Sequence, residues 1–411
     1  MPSLLIRNIG ELLLATDAHS APLQLGKGMK SANIKNAWLR TDGDIISDYG
    51  RMADLGTDIP SGIDVIDATG ALVLPAWCDS HTHLLFADSR EEEFCWRLSG
   101  MDYEEIAKRG GGILNSAKKM AAADEGKLLE DSLCRMEEMA LSGTGAVEIK
   151  SGYGLTSESE LKMLRVIKKL KEQSPLTVKA TFLGAHAIPE SFRGDSVGYI
   201  THIIDEILPA IAEEGLADFI DIFCERGFFT SDDMSRLLEE GWKYGLPPKV
   251  HVNQFSSTGG VAVAVQNKAL SVDHLEVVED ADLLALKGNG TIATLLPACS
   301  FFLNIPYAPA TKLMQAGIPL ALATDFNPGS APSGNMPFVV SLACLKMGMQ
   351  PLDAVSAATL NGAYAMGLEA THGSISRGKK ANLIITNPMS SIAGIPYYFG
   401  SNPAAIVILN G

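Results

Sequence analysis

Eight short apolar runs separated by helix-forming stretches constrain this chain more than any other feature. They fall at residues 72–83, 145–150, 178–186, 219–225, 249–254, 270–276, 291–297 and 318–325. Each is aliphatic or β-branched and is stopped by polar or turn residues, the pattern of a strand buried on both faces. Between them lie stretches rich in Ala, Glu, Lys, Leu and Met, such as 128–141, 158–172 and 232–244. Strands alternating with helices build a parallel α/β sheet, and eight strands is the number that closes a (β/α)8 TIM-like barrel. The rival is an open doubly wound sheet, but no Gly-x-Gly-x-x-Gly follows any of these strands.

The two ends of the chain have a different rhythm. Strand-like runs at 4–6, 11–14, 34–39 and 45–49 alternate with Gly, Asp and Asn, and the same texture returns at 381–385 and 405–409. A chain of 411 residues exceeds one typical core. The expectation is a composite β-sandwich domain of residues 1–70 and 371–411, flanking a barrel of residues 71–370.

The charge balance of −15 speaks against nucleic acid or an anionic membrane as a partner, yet leaves room for an anionic small molecule held by a few local cations. Six cysteines lie scattered with no Cys-x-x-Cys pair, which fits reduced thiols and a cytoplasmic setting. Arg7 and Glu11 interrupt the apolar opening, so it does not read as a signal peptide, and no stretch approaches a membrane span.

The polar residues collect where a barrel keeps its chemistry, at the carboxyl ends of the strands. In Cys78-Asp79-Ser80-His81-Thr82-His83 the two histidines are two apart, so on a strand they project to one face. His186 ends the third run, His251 lies on the fifth, His274 ends the sixth, and Asp325 ends the eighth. Singly, each is as well explained by packing or capping. Five of eight histidines gathered on one rim are not. The combination predicts His81, His83, His251 and Asp325 as ligands of one divalent metal ion, Zn2+ or Fe2+, between which three imidazoles and a carboxylate do not choose. Such an ion lowers the pKa of a bound water towards about 7. His274 is left at the rim to move a proton or polarise a carbonyl. A second ion, bridged by a lysine on the fourth strand, is not expected, because that strand ends Ile222-Phe223-Cys224-Glu225.

This pattern resembles the amidohydrolase superfamily. Longer stretches are similar to its imidazolonepropionase family: Asp79-Ser80-His81-Thr82-His83-Leu84, Tyr103-Glu104-Glu105-Ile106, Glu148-Ile149-Lys150-Ser151-Gly152-Tyr153-Gly154-Leu155, Thr181-Phe182-Leu183-Gly184-Ala185-His186-Ala187, Asp273-His274-Leu275-Glu276 and Ala323-Thr324-Asp325-Phe326-Asn327-Pro328-Gly329. The resemblance implies hydrolysis of 4-imidazolone-5-propanoate to N-formimidoyl-L-glutamate, and a homodimer. It also implies a substrate site lined by Arg90, Tyr103, Tyr153, His186, Asn327, Gly329 and Ser330. The residue chemistry agrees, since a guanidinium at Arg90 can hold a propionate carboxylate in a fork.

Gln254 stands three residues after His251, where some members of the family carry Glu. A glutamine takes up no proton at neutral pH, so Gln254 is expected to hydrogen-bond the substrate ring. Water activation then falls to the metal with Asp325 and His274. Two rival readings use the same residues. A deaminase of a guanine- or cytosine-like base would not need Arg90 with Tyr153 for a carboxylate. A non-catalytic metal scaffold would be expected to draw on local cysteine pairs.

Overall fold

The computed structural model describes residues 3–16, 21–26, 32–56, 62–101, 105 and 109–411. Its strands in chain order begin with β1 (Leu4–Leu12), β2 (Ile34–Asp42), β3 (Ile45–Arg51), β4 (Asp64–Asp67) and β5 (Leu72–Pro75). They continue with β6 (Trp77–Asp79), β7 (Thr144–Lys150), β8 (Thr177–Ala185), β9 (Phe219–Cys224) and β10 (Lys249–Val252). The last are β11 (Ser271–His274), β12 (Ile292–Leu295), β13 (Leu320–Leu322), β14 (Leu383–Thr386) and β15 (Ala404–Ile408).

The termini meet in one seven-stranded sheet of order β15-β14-β5-β1-β2-β3, with β4 joined to β1. β14 runs antiparallel to β5, Ile384 opposite Leu74, and so ties the end of the chain to its beginning. Ile6, Ile9, Leu12, Leu39, Ile46, Val73, Leu383 and Ile385 form the core of this sheet. Each such side chain, once buried, contributes roughly 1.5–3 kcal/mol.

Strands β6 to β13 lie side by side in chain order and pair in parallel, as a barrel requires. The first apolar run does not behave as one strand. Leu72–Pro75 belongs to the terminal sheet, and only Trp77–Asp79 belongs to the barrel. The switch sits at Ala76, whose N–H donates to Asn382 O, while the N–H of Trp77 donates to Gly143 O. An apolar run reports burial, and both sheets bury it.

The seam between β13 and β6 closes just beyond the strand ends. Thr82 bridges Phe326, the N–H of His83 donates to Phe326 O at 2.9 Å, and that of Asp325 donates to His81 O at 3.0 Å. One turn lower, Thr324 donates its N–H and hydroxyl to the Asp79 carboxyl at 3.0 and 2.6 Å, in a setting where burial pushes that carboxyl up to about 7. The hydrogen bonds that close the barrel therefore also fix His81, His83 and Asp325 relative to one another.

The expected helices are present, each opened by a capped first turn. Asp124 caps Glu125–Leu141, Thr156 caps Ser157–Gln173, and Thr230 with Asp233 makes a capping box on Ser231–Lys243. Among the described residues no helix is long and apolar enough to cross a membrane.

Candidate metal centre and substrate cleft

The strand ends bring one nitrogen or oxygen from each of several residues to a single point. Ligand-type atoms of His81, His83 and Asp325 lie within 4.8 Å of one another, and so do those of His81, His251 and His274. His81 Nε2 and His83 Nε2 stand 3.6 and 3.7 Å from Asp325 Oδ1, and His83 Nε2 faces His251 Nε2 at 3.2 Å. Asp325 reaches this point from a left-handed backbone, φ +54°, a conformation that Asp tolerates better than most residues.

A charged floor beneath these ligands sets their tautomers. His81 Nδ1 lies 2.6 Å from Asp273, and His251 Nδ1 lies 2.8 Å from Asp221. Each ring proton therefore sits on Nδ1, and Nε2 keeps its lone pair for the centre. Lys150 donates to Asp221 at 2.8 Å and to Glu148 at 2.7 Å, and stands 3.8 Å from Asp273. Lys249 lies 3.4 Å from Glu148 and donates to Ser271 at 2.8 Å. All five charged groups are buried. Burial acts to lower the Lys150 pKa, but Asp221, Glu148 and Asp273 outweigh it and keep the ammonium charged. Burial, with Lys150 beside them, holds His81 and His251 well below the usual histidine range; burial with His186 does the same for His83.

The residues fit a divalent ion. The rings are neutral, as ligands must be, and His81 Nε2 is buried with no hydrogen-bond partner among the described residues. His83 Nε2 and His251 Nε2, 3.2 Å apart, both point into the same centre. Asp273→Asn keeps the shape of the floor but removes the negative charge of the acceptor that orients His81. It is expected to weaken metal affinity roughly 10–100-fold. Competition against a chelator measures this, and unchanged affinity would remove Asp273 from the site.

Sequence reasoning missed this floor. Its signal was a set of charged residues inside apolar strands: Glu148 and Lys150 on β7, Asp221 on β9, Lys249 on β10 and Asp273 on β11. Inside a strand buried on both faces, a charge must find a partner across the sheet.

Beside the centre is a cleft of about 200 Å³ lined by Phe86, Arg90, Glu93, Trp96, Asn115 and Tyr153, among others. Tyr153 sits between Gly152 and Gly154 in a turn held by Glu160, which accepts the N–H groups of Gly152, Gly154 and Leu155 at 3.1, 2.7 and 2.9 Å. A side chain at Gly152 would lie 2.9 Å from Leu183 O and 3.0 Å from His186 Nδ1. His186 donates Nδ1–H to Gly152 O at 3.1 Å and stacks on His83 with ring centroids 5.1 Å apart; burial brings its pKa to about 4.

Arg90 donates Nε and Nη2 to Glu93 at 2.9 and 2.5 Å, and Glu93 also accepts the N–H of Gly112 at 3.0 Å. The guanidinium lies against the backbone of Gly329, where an added Cβ would come within 2.3 Å of Nη1. Asn327 turns inward: its amide donates to Asp325 O and Ser330 Oγ at 2.7 Å each, and its oxygen accepts from Gly329 and Ser330 at 2.8 Å. Ser330 Oγ lies 3.4 Å from Asp325 Oδ2. Arg90 and Tyr153 thus line the cleft, His186 and Ser330 touch the centre through His83 and Asp325, Gly329 packs on Arg90, and Asn327 shapes the loop after Asp325. Tyr103 lies outside the described residues.

His274 is the last residue of β11, in a left-handed conformation with φ +88°. Its Nδ1 is 3.5 Å from Glu276. Burial opposes protonation of this ring, but Glu276 and then Asp325 outweigh it and raise its pKa. Gln254 is buried and donates Nε2–H to Cys299 Sγ at 3.4 Å.

Residues 72–411 match the model of the amidohydrolase family. An imidazolonepropionase of Flavobacterium johnsoniae is 55% identical over 99% of this chain and 98% of its own length. One from Christiangramia forsetii is 54% identical over 100% and 99%. Among solved structures, a triazine hydrolase variant superposes with a TM-score of 0.75, covering 99% of this chain and 93% of its own, a likeness of fold at 16% identity. With its eight-stranded barrel and the histidines on its rim, the chain belongs to the amidohydrolase family and, within it, stands among the imidazolonepropionases.

Proposed function

We propose that this chain hydrolyses the cyclic amide of 4-imidazolone-5-propanoate to N-formimidoyl-L-glutamate, a step of histidine degradation. The observation that carries this reading is the Arg90–Tyr153 cleft bordering the His81–His83–His251–Asp325 cluster. One end of such a substrate is an anion and the other a ring carbonyl, and the chain offers a cation for the first and a metal-binding cluster for the second. Full-length likeness to imidazolonepropionases supports it.

His81, His83, His251 and Asp325 would hold one divalent ion, zinc or iron(II). Such an ion, when bound, supplies a Lewis acid that polarises a carbonyl and acidifies water. The protein's own groups do the rest. Arg90, fixed by Glu93 and packed on Gly329, binds the propionate carboxylate, with Tyr103, Tyr153 and His186 enclosing the substrate. Gln254 hydrogen-bonds the ring, and Asn327, Gly329 and Ser330 keep the loop after Asp325 in shape.

Water adds to the ring carbonyl carbon, the C–N bond breaks, and the freed nitrogen takes a proton while the carbonyl carbon leaves as a carboxylate. Asp325, whose carboxyl burial pushes up to about 6, and His274 take up the proton of the attacking water. His274 then returns one to the leaving nitrogen. The same reading carries a homodimer in the cytoplasm, which sedimentation and fractionation check, and metal analysis of protein purified without added ions separates zinc from iron.

Arg90→Met tests the substrate assignment. Arg90 is half-buried, and losing its charge-assisted contact to the carboxylate costs about 2–3 kcal/mol, so kcat/KM on the propionate substrate is expected to fall at least about 30-fold. An imidazolone without the arm is expected to react equally well with both proteins. Equal losses on the two substrates would point to a deaminase-type pocket in which Arg90 holds no carboxylate.

A further inference from the structure

We propose that His274, Glu276 and Cys299 form a second divalent-cation site, adjacent to the first and inhibitory when filled. The three supply an imidazole nitrogen, a carboxylate oxygen and a sulfur, the donor set that zinc takes and that magnesium or calcium does not. Their ligand atoms lie within 4.8 Å of one another. Bonds of about 2.0–2.3 Å to a tetrahedral ion put its ligand atoms roughly 3.3–3.8 Å apart, so the donors close on an ion by drawing together at most about 1.5 Å.

Glu276 is the second observation. Its two oxygens both stand 3.5 Å from His274 Nδ1, too far for a charge-assisted hydrogen bond, which spans about 2.7–2.9 Å. Oε1 accepts from Ser300 Oγ at 3.2 Å, but Oε2 is buried with no hydrogen-bond partner among the described residues. An unpartnered buried carboxylate oxygen facing an imidazole and a thiol is an open coordination position. Gln254 points its amide N–H at Cys299 Sγ, 3.4 Å away, and the thiol also makes side-chain hydrogen bonds with Asp325 and Ser330, so it abuts the first centre. His274 and Glu276 come from the end of β11, and Cys299 from the helix Pro297–Leu303. The donors thus sit on or beside rigid elements.

On binding, the thiol gives its proton to solvent and the cation takes Nδ1 of His274, leaving that ring without the Glu276 contact. The inhibition rests on the role given to His274 above; the binding does not. Zinc should therefore restore activity to metal-free protein at the first equivalent and suppress it in excess.

The test is a titration of metal-free full-length protein with cobalt(II). Two equivalents are expected, the second bringing a near-ultraviolet thiolate-to-cobalt charge-transfer band. Cys299→Ser should keep the first equivalent, lose the band and need at least about tenfold more zinc for inhibition. Glu276→Gln, which keeps the thiol, should weaken the second equivalent by a similar factor and serves if the first variant does not fold. A single equivalent in the wild type without the band overturns the proposal, as does a second equivalent unchanged in both variants. Binding without inhibition would leave the site standing and overturn its inhibitory role. Failure of the imidazolone assay alone leaves the titration untouched.

Discussion

Asp325→Asn is expected to reduce kcat/KM by at least about three orders of magnitude and to strip most of the bound metal. Asn accepts the same left-handed backbone, φ +54° at this position, so the change isolates the charge from the conformation. It also leaves the main-chain bonds to His81 and Asn327, which close the barrel seam and hold the following loop. What disappears is the anionic oxygen 3.6–3.7 Å from His81 Nε2 and His83 Nε2. Three neutral imidazoles then remain. Losing several kcal/mol of Lewis-acid stabilisation corresponds to three or more decades in rate. Metal analysis beside steady-state kinetics checks it; a variant with full metal and full activity would remove Asp325 from the centre.

His274→Asn is expected to separate the two properties that Asp325→Asn loses together. Proton transfer by a positioned group contributes about 10²–10⁴-fold, so turnover should fall by that much with the first metal equivalent retained. Asn is the replacement of choice because position 274 has φ +88° and the residue after it φ +63°; most other side chains would add backbone cost to the chemical loss. Parallel losses of metal and turnover would make His274 a ligand in place of a proton carrier.

The barrel was legible because a strand buried on both faces writes itself as an uninterrupted apolar run, and eight such runs alternate with helices. His81, His83, His251, His274 and Asp325 were legible because a small set of histidines falls at the ends of those runs. Three features were not, each for its own reason. The division of 72–83 between two sheets depends on where the chain crosses at Ala76, and an apolar run does not say which sheet buries it. The floor of Glu148, Lys150, Asp221, Lys249 and Asp273 depends on register between neighbouring strands, which places Lys150 against Asp221, 71 positions further along the chain. In sequence Lys150 is one polar residue ending the second run, and only that register shows it lying beneath the ligands. The contact of Arg90 with Gly329 joins two loops from opposite sides of the closing seam, a proximity that only barrel closure creates. Glu93 and Glu160, which fix Arg90 and the Tyr153 turn, look in sequence like ordinary residues at the start of a helix.

The most direct measurement of the central claim is the loss of imidazolone ultraviolet absorbance on adding the purified protein, with and without prior chelation. The account predicts loss with the untreated protein, N-formimidoyl-L-glutamate as product, no loss after chelation, and recovery on adding back one equivalent of zinc or iron(II). Absorbance that stays constant with protein verified to hold one metal equivalent would contradict it, leaving the barrel and its metal cluster in place for a different substrate.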